Sequence, residues 1–104
     1  MNTTDFAALP LSSEMLANIH ALDYLQMTPI QEHSLPAILE GKDLLAQAKS
    51  GSGKTAAFAI GLLHKLEVRT YQVQALVLCP TRELADQVSS EIRRLARAIP
   101  NTKI

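Results

Sequence analysis

The sequence predicts an α/β fold: parallel strands flanked by helices, with a sheet that these residues leave incomplete. Two observations carry this. The apolar runs Leu44-Leu45-Ala46-Gln47-Ala48 and Ala75-Leu76-Val77-Leu78-Cys79 are too short for buried helices, and each leads into a turn containing glycine or proline. Each is then followed by a segment of helical composition or periodicity, and Thr102-Lys103-Ile104, which reads as the first residues of another strand, comes after the second of these. Strand, helix, strand, helix, strand-start is the alternation of a parallel sheet, its last strand cut short.

Taken in order, Leu11, Met15, Ile19 and Leu22 recur at helical spacing beside Ser12 and Ser13, which can cap, and predict a helix over 13–22. Thr28-Pro29-Ile30-Gln31 reads as a second helix start, with threonine as cap, proline in the first turn and glutamine third. Pro36 is expected to break or kink that helix, and Gly41 to end it. Residues 54–66, rich in alanine and leucine, predict a helix leaving the glycine-rich turn. Thr81 can cap a longer helix running to about residue 98, with Leu84, Val88, Ile92 and Leu95 on its apolar face.

At 104 residues the chain has the length of one small domain, and 47% hydrophobic against 19% charged residues excludes a disordered class. It has no apolar run of membrane-spanning length, and residues 1–10 lack the basic start and apolar middle of a signal peptide. A cytoplasmic protein with no membrane partner is expected. Cys79 is the one cysteine, so no internal disulfide can form, and the flanking Leu78 and Pro80 favour a small buried hydrophobe. His20, His33 and His64 have no metal-ligand spacing. The net charge is zero, which by itself gives no reason to expect a nucleic-acid partner, although the acids concentrate in the first 43 residues.

The chemistry concentrates in Ala48-Lys49-Ser50-Gly51-Ser52-Gly53-Lys54-Thr55. Phosphates need dense donors and positive potential, and successive backbone N–H groups entering a helix N-terminus supply both. Gly51 and Gly53 shape such a loop, Lys54 reaches the β- and γ-phosphates, and the Thr55 hydroxyl is placed for Mg²⁺. The stretch matches G-x-x-x-x-G-K-[ST] except at its first position, where Ala48 stands. A plain strand-to-helix turn is the competing account, but the strand before, the helix after and the adjacent Lys-Thr are the context a phosphate loop requires.

Two further stretches are weaker alone. Tyr24 lies seven residues before Gln31, and an aromatic face with a glutamine that can pair with the N6 and N7 edge of adenine makes a base site. Thr28 and Gln31 are also a T-x-x-Q capping box, the account that the local pattern alone favours. Pro80-Thr81-Arg82-Glu83-Leu84-Ala85 sets a hydroxyl, an arginine and helix N–H groups just after a strand, where ligands gather in open α/β sheets. Taken alone, that stretch is better explained by an ordinary N-cap with solvated charges.

Together and in this order, Met27 to Gln31, Ala48 to Thr55 and Pro80 to Ala85 resemble the Q motif, motif I and motif Ia of the DEAD-box RNA helicases, in which alanine at the first position of motif I is usual. Residues 74–88, 93–97 and 100–104 look most like a bacterial subtype that acts on ribosomal RNA. The resemblance implies that residues 1–104 are the N-terminal portion of the first RecA-like domain, and that ATP and Mg²⁺ bind it. It implies that Phe6 and Tyr24 pack about adenine, that Thr28 and Gln31 recognise it, and that Ser50, Gly51, Ser52, Gly53, Lys54 and Thr55 hold the phosphates. Lys54 and Thr55 are the catalytic candidates, with Thr55 on the metal, while Pro80, Thr81 and Arg82 are the RNA-side residues. Asp23 stands where the family usually has glycine before the aromatic residue, which leaves the turn before Tyr24 an open question.

The D-E-A-D and S-A-T motifs and a second domain with arginine fingers are absent from this sequence, so the 104 residues alone are expected to be catalytically inert. In the family fold, strands from later sequence separate the two apolar runs, so exposed edges and self-association are expected here. Another P-loop enzyme, such as a small-molecule kinase or GTPase, and a non-catalytic associating module are the alternative readings. Base choice separates the first of these, and indifference to Lys54→Ala the second.

Overall fold

The computed structural model describes residues 5–48, 51, 53–70 and 72–104. A single 3-10 turn, Phe6–Ala8, precedes four helices: α1 (Ser13–Ala21), α2 (Pro29–Leu39), α3 (Lys54–His64) and α4 (Arg82–Ala96). The helix starts fall where the capping residues lie. The Ser12 hydroxyl accepts the Met15 N–H at 3.1 Å, Thr28 precedes Pro29, and the Thr81 hydroxyl accepts the Leu84 N–H at 3.1 Å.

Two helix ends are closed by left-handed residues. At α2 the Gly41 N–H bonds to the Ile38 carbonyl and the Lys42 N–H to the Ala37 carbonyl, the paired bonds of a Schellman motif, with Gly41 at φ 85°. At α1 the same pair of bonds runs from Asp23 to His20 and from Tyr24 to Ile19, and here a non-glycine residue, Asp23, takes φ 65°. Asp23 therefore adopts the turn that glycine favours. It settles the geometry before Tyr24.

α3 lies between α2 and α4, and α1 leans on α4. Leu35 from α2, Ala59, Ile60 and Leu63 from α3, Val88, Ile92 and Leu95 from α4, and Met15 and Ile19 from α1 make one buried cluster, which Phe6 and Leu9 close. The α2–α3 contact is tight because Gly61 has no side chain: a Cβ there would lie 2.0 Å from Ile38 Cγ2. Asn18 of α1 donates its side-chain amide to the Arg94 and Leu95 carbonyls at 3.0 and 2.9 Å, satisfying groups that the last turn of α4 leaves without helical partners. The radius of gyration, 13.2 Å, is that of a compact chain of this length.

Several expectations need correction. The strands expected over 44–48 and 75–79, and the start expected at 102–104, have no ladder partner among the described residues, which contain no strand. A strand is completed only by a neighbour that takes its N–H and C=O groups, and neither run is joined to the other. Their side chains show the consequence. Val77 and Cys79 are half-buried against the helices, whereas Leu76 and Leu78 are 78% and 85% exposed, and Leu45 is 99% exposed. A space of 1220 Å³ is lined by both runs, by Leu44 and Ala46 on one side and Val77 and Cys79 on the other. Pro36 does not break α2, which continues to Leu39. The Pro36 ring lies on the exposed side, where it meets solvent rather than the core. The third and fourth helices end two residues earlier than expected, at His64 and Ala96.

Candidate nucleotide-binding site

The phosphate-loop candidate begins at Ala48 and ends in the first turn of α3. Of its residues Lys49, Ser50 and Ser52 lie outside the described residues. Gly51 and Gly53 both take left-handed conformations, φ 81° and 90°, so each glycine stands where a side chain would be strained. Gly53 is the N-cap of α3, and its carbonyl accepts the Ala57 N–H at 3.1 Å. The N–H groups of Lys54, Thr55 and Ala56 thus sit in the first turn of a helix that has no acidic residue there, where the helix dipole favours an anion. Lys54 is exposed, and its ammonium donates to the Ala48 carbonyl at 2.5 Å, spanning the loop from its end to its beginning. Thr55 is half-buried beside it.

The base-site candidate meets this loop through Gln31. The Gln31 side chain is 2% exposed, its Oε1 accepts the Thr28 N–H at 2.9 Å, and its Nε2 donates to the Gly53 carbonyl at 3.2 Å. An amide group offers two donors and two acceptor lone pairs, so one of each remains, the pair needed for the N6 and N7 edge of adenine. Thr28 and Gln31 adopt the reciprocal arrangement of a capping box, yet the Thr28 hydroxyl is buried with no hydrogen bond of sound geometry. The capping-box reading is the arrangement seen, and it holds the glutamine against Gly53.

The aromatic candidates are placed differently. Phe6 is 3% exposed within the core, while Tyr24 is half-buried and gives its hydroxyl to Glu91 of α4. The structure brings Tyr24, Gly51, Gly53, Lys54 and Thr55 to one cavity, which Pro80 also lines. Thr81 and Arg82 stand at the N-terminus of α4, exposed; the threonine is used as the cap, and Arg82 makes no ion pair among the described residues. Glu91 was missed from sequence. Its signal is a lone carboxylate seven residues after Leu84, within the otherwise apolar stripe of α4.

A divalent metal would find no group of three His, Cys, Asp or Glu side chains among the described residues. Among the motif's described residues the Thr55 hydroxyl is the one side-chain oxygen, which fits an ion held mainly by a nucleotide's own phosphates and water.

Residues 28–104 match the family model for the DEAD/DEAH box helicase. The chain belongs to the DEAD/DEAH box helicase family. Among curated relatives of this family, the ATP-dependent RNA helicase DbpA of Escherichia coli (strain K12) is 63% identical over 94 residues, 90% of this chain and 21% of the relative. The ATP-dependent RNA helicase CshA of Listeria monocytogenes is 44% identical over 89% of this chain and 18% of its own length. The chain spans about a fifth of the length of these curated relatives. Among solved structures, a DEAD box protein from Methanococcus jannaschii superposes with a TM-score of 0.84 at 40% identity, over 88% of this chain and 25% of that one. Dbp5 of S. cerevisiae, solved bound to RNA and ADP BeF3, gives 0.86 at 34% identity over 91% of this chain and 25% of its own.

Proposed function

We propose that residues 1–104 are the N-terminal portion of the first RecA-like domain of an ATP-dependent RNA helicase and carry its adenine- and phosphate-binding residues. The observation that bears most weight is the Gln31–Gly53 hydrogen bond, which joins the base-reading helix start to the phosphate loop across 22 residues of sequence. In this reading the first-turn N–H groups of α3 and the Lys54 ammonium bind the β- and γ-phosphates, so Lys54 leaves the Ala48 carbonyl when nucleotide arrives. Thr55 would hold Mg²⁺, which would offset the charge of the phosphates. Gln31 and the Thr28 hydroxyl orient the adenine, and Tyr24 flanks it.

RNA is the proposed partner, reached through Pro80, Thr81 and Arg82 at the start of α4, and ribosomal RNA is the target proposed from the subtype that residues 74–88, 93–97 and 100–104 resemble. In the whole protein the runs 44–48 and 75–79 become parallel strands once later segments pair with them. Without the second-domain arginine, whose like is worth about 10³ to 10⁵ in rate, the 104 residues bind nucleotide but turn it over poorly.

The test is calorimetric titration of ADP and GDP, each with Mg²⁺, into this chain and into Gln31→Ala and Lys54→Ala. Binding of ADP over GDP, loss of that preference in Gln31→Ala and loss of binding in Lys54→Ala are expected. A folded chain that takes neither nucleotide refutes the proposal for these residues.

A further inference from the structure

Glu91 is an ionisable side chain at a position where an amphipathic helix buries apolar ones. It lies on the face of α4 that Leu84, Gln87 and Val88 present to the shared cavity, and only 15% of its side chain is exposed. A carboxylate placed there is costly unless its oxygens are partnered. Both are: one accepts the Tyr24 hydroxyl from 67 residues away, and the other pairs with Arg94 on the next turn.

We infer that Glu91 is a positioning residue for the base-recognition segment, acting through Tyr24. The Tyr24 backbone is pinned at one end, where its N–H bonds to the Ile19 carbonyl at 3.1 Å and closes α1. Glu91 pins the other end at the hydroxyl. Held at both ends, the ring keeps one orientation along the cavity it shares with Gly53, Lys54 and Thr55, and its face is set before a base arrives. Arg94 in turn fixes the carboxylate, being half-exposed itself and tied into the end of α4 that Asn18 caps. An ordinary surface pair between Glu91 and Arg94 would explain neither the burial nor the tyrosine.

This inference rests on the nucleotide reading above, and its test separates the two. Two ligands are titrated with Mg²⁺: ADP, which uses base and phosphate sites, and inorganic pyrophosphate, which uses the phosphate loop alone. Tyr24→Phe keeps the ring and loses the hydroxyl, Glu91→Ala loses the carboxylate, and Glu91→Gln keeps an acceptor. Tyr24→Phe and Glu91→Ala each weaken ADP binding about fivefold, and the double variant is no weaker than either. Glu91→Gln retains most of the affinity, and pyrophosphate binding is the same in all. Unchanged ADP affinity in folded variants overturns the inference, as does an equal loss for ADP and pyrophosphate, which marks a merely structural role. A wild-type chain that binds neither ligand overturns the nucleotide reading, and this inference with it.

Discussion

Gln31 Nε2 donates to the carbonyl of Gly53 at 3.2 Å, and the space beside that contact is already full: a Cβ on Gly53 would lie 2.4 Å from the same nitrogen. Glycine is therefore demanded twice at this position, by the left-handed φ of 90° and by the buried glutamine. Gly53→Ala should lose about 1–2 kcal/mol from the backbone term alone. The clash adds to this. Urea denaturation of Gly53→Ala alone and with Gln31→Ala checks the division: the double variant should recover the steric part and keep the backbone part.

Asp23 presents the opposite case, a side chain where glycine would be easier. Its φ of 65° costs about 1 kcal/mol or somewhat more for an L-residue, and its charge stands at the C-terminal, negative end of α1. Glycine gives back part of that gain by freeing the unfolded chain. The net expectation for Asp23→Gly is a modest stabilisation, raising the thermal midpoint by a few degrees, roughly 4–8 °C per kcal/mol for a domain of this size. A lower midpoint would mean that the carboxylate has a stabilising partner.

At Gly61 two effects oppose each other. Alanine in a helix interior is better than glycine by about 1 kcal/mol, whereas a Cβ here meets Ile38 Cγ2 at 2.0 Å, and overpacking costs about 1–3 kcal/mol. Packing should win, because α2 cannot withdraw without opening the contact on which the core depends. Gly61→Ala is expected to destabilise the chain, and Ile38→Ala in the same background to remove most of the added penalty. Chemical denaturation of these two variants and of Ile38→Ala alone measures both.

What was legible in the sequence follows the range of each interaction. Ser12, Thr28, Gly41 and Thr81 act on neighbours within one helical turn, so they marked helix ends from sequence alone. The bonds from Gln31 to Gly53 and from Tyr24 to Glu91 join residues 22 and 67 apart, and no local pattern encodes them. Of the two effects expected at Pro36, a break is excluded, because the proline sits on the exposed side of a helix whose other face is held by the core. The apolar runs were legible as strand-forming sequence, but a strand exists only with a partner, and among the described residues neither has one.

Those runs carry the last prediction. Leu45, Leu76 and Leu78 are exposed over most of their surface, on segments whose backbone groups have no ladder, which is the edge pattern that invites pairing with another chain. A second copy offers the same apolar rows on segments that carry no ladder among the described residues, so these 104 residues are expected to self-associate in solution. Replacing Leu76 and Leu78 with lysine puts like charges on the facing rows while leaving the half-buried Val77 and Cys79 against the helices. Sedimentation velocity should then show wild-type chains as dimers or larger at tens of micromolar, and Leu76→Lys/Leu78→Lys as a monomer with unchanged helical circular dichroism. A wild-type monomer at every concentration would mean that the exposed rows are tolerated and that a partner within the longer relatives' architecture, rather than a second copy, is what they are shaped to meet.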